Sequence, residues 1–413
     1  MLQNEVLSAY PTLTRIRQHS DSEHITDIAG VVRQQIENLI PRGKLAGKRI
    51  AVTVGSRGIT NIQQIIRAVA DCVKALDGSP FIIPAMGSHG GATADGQEKV
   101  LCGYGITAET MGCPVVSSME VVRLGDIPNG APVWFDKSAY EADGVIVCNR
   151  VKPHTDFIAD NESGIVKMVA VGLGNEAGCS AMHAFGLAGS IGPSCSLAIE
   201  KAPILAGLAV IENSSDETYA IQGVLPEHFL AEDARLLKVA QGLIPRLPTD
   251  NLDLLIVKEI GKMFSGTGMD TKVIGRIRVD GIPEPSAPRI KKLVVLRLNP
   301  HSYGNALGIG LADITTKNLI HSIDRETMYS NLLPTTYLER GKYPVWFNTE
   351  QEAIDAAIRT LGTVRDLRMA VVENTLHLSA LLVTPNILED CPKALVLEKD
   401  IPIQFDKDGR LLN

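Results

Sequence analysis

The chain is poor in aromatic surface. Phe, Trp and Tyr supply 4% of its 413 residues, too few to suggest stacking platforms for nucleic-acid bases. An excess of positive charge is also missing. Forty Lys and Arg against 47 Asp and Glu give a net charge of -7, which argues against binding a polyanion along the chain. No nucleic-acid partner is therefore expected. The seven cysteines are scattered, odd in number and without a C-x-x-C pair, so reduced buried thiols are expected rather than a disulfide framework. The N-terminus, Met1-Leu2-Gln3-Asn4-Glu5, has neither the basic nor the apolar region of a secretory signal, and a cytoplasmic location is expected. Long uncharged runs are rare. One, Ala177 to Ile199, holds no Asp, Glu, Lys or Arg and could span a bilayer by length. Its Gly, Ser, Pro193 and His183, bracketed by Glu176 and Glu200, read instead as a close-packed wall of a soluble protein, with no membrane partner. Internal repeats, low-complexity tracts and long charge runs are absent.

What is present is ordinary globular material, 45% hydrophobic and 21% charged, of a length that suggests two domains. Arg49–Val54 reads as a buried strand, followed by Gly55-Ser56-Arg57-Gly58 and a helix opened by Thr60 or Asn61. That helix has an apolar face of Ile62, Ile65, Ile66, Val69, Val73 and Leu76. Further strands are expected at Pro80–Pro84, Gly144–Cys148 and Leu205–Ile211. Gly242, Pro245, Pro248 and Asp250 mark a boundary, after which Leu252–Val257, Lys292–Leu298 and Met369–Glu373 read as strands. Thr349 with Glu352 forms a capping box for a helix reaching Leu361. The expected fold is α/β in two domains, 1–248 and 249–413, each a mainly parallel or mixed sheet flanked by helices. Ligands bind such sheets at the C-terminal ends of strands.

Chemistry-bearing residues collect in those loops. His89 follows a strand between Gly87 and Gly90-Gly91, and His154 follows Pro153 after another strand. Either imidazole could act as a general base near neutral pH. Lys167 stands inside the apolar run Ile165–Val171, where an ammonium is costly unless it snorkels to water or faces a site. Gly172-Leu173-Gly174-Asn175-Glu176-Ala177 fits G-x-G-x-x-A, a weak dinucleotide fingerprint whose acidic partner is only loosely placed at Glu200. His183, four residues after Cys179, is either a packed histidine or a metal ligand, and a single Cys/His pair is a weak metal signal.

Taken together, the Ser-Arg-Gly loop, the Gly-Ser-His-Gly-Gly loop, the Pro-His loop, Ser163-Gly164-x-x-Lys167 and a histidine 16 residues later resemble the nickel-pincer-nucleotide-dependent lactate racemase family. The resemblance spans roughly residues 50–190, with a looser echo near Lys262. It implies an active site in the cleft between two domains. It implies that Lys167 carries the cofactor, pyridinium-3-thioamide-5-thiocarboxylic acid mononucleotide, through a thioamide. Ser163, Gly164, Gly172 and Gly174 would lie along the cofactor. His183 would be the protein ligand to nickel, His89 and His154 the two acid/base groups, and Arg57 the grip on the substrate carboxylate. Lys262 is the candidate for a second substrate-facing group. Typical members carry an acidic residue where this chain has Val54 and a basic one where it has Gly90. The Lys152-Pro153-His154-Thr155 segment and the Ser265–Asp270 loop also diverge.

These departures touch the substrate side, so the substrate is read as lactate or a longer 2-hydroxy acid such as a sugar acid. Inverting C2 requires breaking a C–H bond that is a very weak acid. Removal as hydride needs an electron-poor acceptor that side chains do not offer, while a base takes the hydroxyl proton. The expected function is a 2-hydroxy acid racemase or epimerase. The expected partners are that small molecule and, transiently, the cofactor-synthesis enzymes, with a homo-oligomer left open. Two alternatives stand beside it: an NAD-dependent dehydrogenase using the Gly172 fingerprint, and a non-catalytic cleft-binding homologue.

Overall fold

Strands buried on both faces read as continuous apolar runs, and those of the first half behave accordingly. A computed structural model describes residues 10–18, 23–56, 58–154, 157–362 and 366–413. Arg49–Val54 is buried from Ile50 onward. It lies between the parallel strands Ser79–Pro84 and Gly144–Arg150, and Ile204–Glu212 continues the parallel order. Thr218–Val224 closes the five-stranded sheet antiparallel.

Side chains alternate between its two faces with period two. Ile50, Val52, Ile146 and Leu208 meet Ile28, Val32 and Ile36 of helix Ile28–Leu39 and Ile65, Ile66 and Val69 of helix Ile62–Ala75. Ala51, Ile83, Val145, Val147 and Ala209 face the other way, onto Ile165, Val169, Ile191, Cys195, Phe229 and Leu236. The second face is therefore covered by the helical segments that hold most of the expected site residues. An antiparallel ribbon, Val121–Asp126 with Pro132–Asp136, adds Leu124, Val133 and Phe135 to that layer.

The second sheet has eight strands. Val345–Phe347, Ile314–Thr316, Arg289–Leu298, Asn251–Ile260 and Met369–Val372 run parallel in that order. Ala380–Val383, Leu13–Arg17 and Leu395–Ile401 follow, each antiparallel to its neighbour. Its faces are packed by separate apolar clusters, one around Leu255, Val257, Leu293 and Val295, the other around Leu254, Ile256, Val294, Ile354 and Ala357. Thr349 caps helix Glu350–Thr360 by accepting from the Glu352 N–H at 3.1 Å. The Glu352 carboxylate accepts from Asn348 rather than from the cap residue, so only half of the expected box forms.

The protein is thus a mixed α/β chain with two main sheets flanked by helices. Its compact units are Asp21–Ile244 and a second built from Met1–Ser20 together with Pro245–Asn413. This differs from the expected division at its start, because Leu13–Arg17 joins the C-terminal sheet. Its partners lie at the far end of the chain, and no local pattern encodes such a pairing. Ala177–Ile199 forms two helices, Asn175–Ala184 and Leu187–Lys201. Among the described residues no helix is long and apolar enough to cross a membrane.

Candidate functional site

Two loops leave the C-terminal ends of Ser79–Pro84 and Gly144–Arg150, the parallel strands on either side of Arg49–Val54 in the five-stranded sheet. The first carries His89, exposed at the start of a short 3-10 turn, Gly90–Ala92. Its backbone is tied down on the side of the later helices, where the Gly87 N–H donates to the Gly172 carbonyl at 3.1 Å. Gly87 has φ +58 and a Cβ there would stand 3.2 Å from Cys179 Cβ, so the loop touches the helix that bears His183. Ser88 Oγ lies 3.5 Å from Cys179 Sγ.

The second loop carries His154, half-buried. Glu162, fully buried, accepts from the His154 N–H at 2.7 Å and the Ala159 N–H at 3.3 Å. Ser163 Oγ accepts from the Lys152 N–H at 2.7 Å, and Asn149 Nδ2 donates to the Gly164 carbonyl at 2.7 Å. A carboxylate and a hydroxyl thus close the loop onto the start of the next helix, satisfying backbone donors that burial would otherwise leave unpaired.

That helix begins at Gly164, whose φ of +68 and whose closeness to Asp233 forbid a side chain: a Cβ would lie 1.9 Å from Asp233 Oδ1. Asp233 accepts from the Ile165 N–H at 2.9 Å. Burial pushes its carboxyl up to about 7, despite that hydrogen bond. One α-turn, Gly164–Lys167, widens directly into a π-turn, Met168–Gly172. Such π-turns interrupt regular packing and recur at functional sites. Lys167 stands at the junction, half-buried between the buried Val166 and Met168. Its ammonium lies 5.6 Å from the centre of the Phe157 ring, and the His154 ring centroid lies 4.5 Å from the same ring.

His183 sits near the end of helix Asn175–Ala184. Its Nδ1 is 2.8 Å from the Cys179 carbonyl. A carbonyl only accepts, so Nδ1 carries the proton and Nε2 of the neutral ring keeps its lone pair. Cys179 Sγ lies 3.6 Å from the same nitrogen. Its hydrogen bonding to Cys179, through the sulfur first and then the carbonyl, pushes His183 up, against burial and the Lys167 charge. Burial works to raise the Cys179 thiol, but its hydrogen bonds with His183 and Ser88 outweigh that and hold it below the usual range.

Four expected residues therefore belong to one constellation. The His89 loop contacts the Cys179–His183 helix and the π-turn after Lys167, while His154 and Lys167 meet at Phe157. Gly172 and Gly174 are packing positions: a Cβ at Gly172 would stand 2.6 Å from the Ala85 carbonyl, and one at Gly174 would stand 3.3 Å from the Trp134 carbonyl. Their G-x-G-x-x-A match spans a π-turn and a helix start, so the strand-to-helix turn that a dinucleotide fingerprint requires is missing. Arg57 and Thr155 lie outside the described residues. Lys262 belongs to the other unit, where its Nζ donates to the Gly266 carbonyl at 2.6 Å and its N–H to Ser302 Oγ at 3.0 Å.

Sequence reasoning missed Phe157, Glu162 and Asp233. The last had a visible signal, since Phe229, Asp233, Leu236, Leu237 and Ala240 form one buried helical stripe, and a carboxylate in such a stripe is unusual.

Residues 14–191 match the lactate racemase N-terminal domain. The apoprotein structure of lactate racemase from Thermoanaerobacterium thermosaccharolyticum resembles this fold with a TM-score of 0.50 at 12% identity, over 89% of this chain and 94% of that one. A Thermotoga maritima protein of solved structure aligns over 70% of this chain and 73% of its own, with 14% identity and a TM-score of 0.49. No curated protein matches the sequence.

Proposed function

We propose, for a chain whose residues 14–191 match the lactate racemase N-terminal domain, a nickel-dependent racemase or epimerase acting at C2 of a 2-hydroxy acid. The observation that carries this reading is the contact of Lys167 and His154 with one ring, Phe157, beside a histidine whose Nε2 is left as a donor.

The residues fit a nickel-pincer nucleotide by their donor set. Among the described residues no group of three or more His, Cys, Asp and Glu could hold a metal ion. A group that brings a carbon and two sulfurs to nickel needs one imidazole from the protein, and His183 offers it. Lys167 would hold the group covalently through its amine, with Ser163 and Gly164 at the start of its helix. When bound, the pincer nucleotide supplies an electron-poor pyridinium carbon that accepts the C2 hydrogen with its electron pair.

The other steps belong to side chains. His89 and His154 take the proton from the substrate O2 and return it, one for each enantiomer. Arg57 grips the carboxylate through paired N–H bonds, with Lys262 as a further substrate-facing group. Phe157 holds Lys167 and His154 in fixed relation. Enzymes that synthesise the nucleotide would meet the chain transiently.

The test is co-expression with those enzymes. The purified protein should carry nickel and a visible absorbance band, and should change the C2 configuration of lactate or a longer sugar acid. Protein with neither nickel nor that band under those conditions overturns the reading. Loading without stereochemical change on any tested acid would mark a non-catalytic homologue.

A further inference from the structure

We infer that Gln97 is a positioning residue that fixes the His89 loop, an inference that rests on the role proposed above for His89. Gln97 lies in helix Ala94–Gly103 and is fully buried beneath the loop. Its Nε2 donates to the Gly87 carbonyl at 2.9 Å and reaches the His89 carbonyl at 3.4 Å. One amide thus engages the backbone two residues before the imidazole and at the imidazole itself.

The same helix touches the other side of His89 by backbone alone. Gly90 has φ +67, and a Cβ there would lie 2.6 Å from the Gln97 nitrogen. A Cβ at Gly96 would lie 1.7 Å from the Gly90 carbonyl. Gly87 is held from the opposite direction by Gly172. His89 is exposed, and the course of its backbone sets where the imidazole can reach.

The second half of the amide shows what the side chain is for. Gln97 Oε1 is buried and has no hydrogen-bond partner among the described residues. An orphaned buried carbonyl destabilises a fold. Methionine would fill the same space without that oxygen. A glutamine kept for volume alone would be a poor choice, whereas one kept for its two N–H groups accounts for both the bonds made and the acceptor left over.

The discriminating variant is Gln97→Met in the full-length apo protein, with Gln97→Glu as a second that retains the length but loses the donors. Gln97→Met should melt close to the wild-type temperature, because losing the orphaned oxygen offsets the Gly87 carbonyl left without its donor. Amide exchange in peptides covering 86–92 should nevertheless rise by about tenfold or more, since local opening is no longer resisted. Loaded enzyme should lose roughly tenfold or more in C2 inversion, and adding His89→Ala to Gln97→Met should cost nothing beyond His89→Ala alone. Unchanged exchange over 86–92 in both variants overturns the inference, as do losses that multiply in the double variant. If no acid is turned over at all, the racemase reading fails, while the exchange measurement still decides the role of Gln97 in the loop.

Discussion

His154 and Lys167 share one aromatic ring. The imidazole lies 4.5 Å from the centre of Phe157, tilted by 33°, and the ammonium lies 5.6 Å from it. A buried ring is a rigid spacer with few rotamers, so it couples the positions of an acid/base group and a cofactor-bearing amine without charge between them.

Phe157→Leu should therefore do two separable things. Truncating the ring should lower stability by about 1–2 kcal/mol, read from urea unfolding. Turnover of the loaded enzyme should fall further than stability explains, with nickel content unchanged. Wild-type turnover in the variant would show that the shared ring is packing alone.

Lys167→Ala and His183→Ala separate attachment from ligation. Intact mass of loaded protein should exceed the chain by one cofactor, and that excess should vanish in Lys167→Ala. His183→Ala should lose nickel while melting within about 3 °C of wild type, because the change removes little core volume. Nickel equal to wild type would reduce His183 to a helix-end histidine bonded to its own turn.

Asp233 makes stability depend on pH in an unusual direction. Its folded carboxyl sits at about 7, raised by burial far above the usual carboxylate range. The folded state thus binds this proton more tightly than the unfolded state. Its contribution is full below the unfolded value and is lost as pH rises toward 7, by at most about 4 kcal/mol. Asp233→Asn, which mimics the protonated acid, should flatten urea midpoints measured between about pH 4 and pH 8. Equal slopes in the two proteins would sink the assignment.

Gly164→Ala tests the helix start directly. The residue combines a φ of +68 with an Asp233 oxygen 1.9 Å from any Cβ, and Asp233 is too buried to step aside. A loss of at least about 2 kcal/mol is expected. A variant as stable as wild type would mean that this turn relaxes freely.

Hydrogen at C2 gives the mechanistic test. If it leaves with its electron pair and returns to the same carbon, inversion in heavy water leaves C2 essentially unlabelled. Extensive solvent deuterium would instead assign carbon deprotonation to His89 and His154.

Much of this arrangement was legible in the residues. Strand-loop periodicity located Arg49–Val54 and, as Gly144–Cys148, all but the last two residues of Gly144–Arg150, and loop glycines marked His89. Phe157 was hidden because it reaches Lys167 ten positions later across a loop, and only the closed loop brings them together. Glu162 and Gln97 were hidden for a related reason: they act on backbone groups, which carry no sequence signature. The Gly172 fingerprint misled because glycine serves close packing as readily as ligand approach.

The strand Leu13–Arg17 sets a schedule for the ribosome. It is synthesised ahead of every other strand of its sheet, yet its neighbours Ala380–Val383 and Leu395–Ile401 follow it by more than 360 positions. At roughly 5–20 residues per second, that delay is on the order of 20–80 s. The five-stranded sheet can close meanwhile, because all its strands lie within Asp21–Ile244. Leu13 and Ile16, buried in the finished protein, stay on the nascent chain as an unpaired apolar strand for the whole interval. Slower elongation lengthens the time this strand waits for its partners.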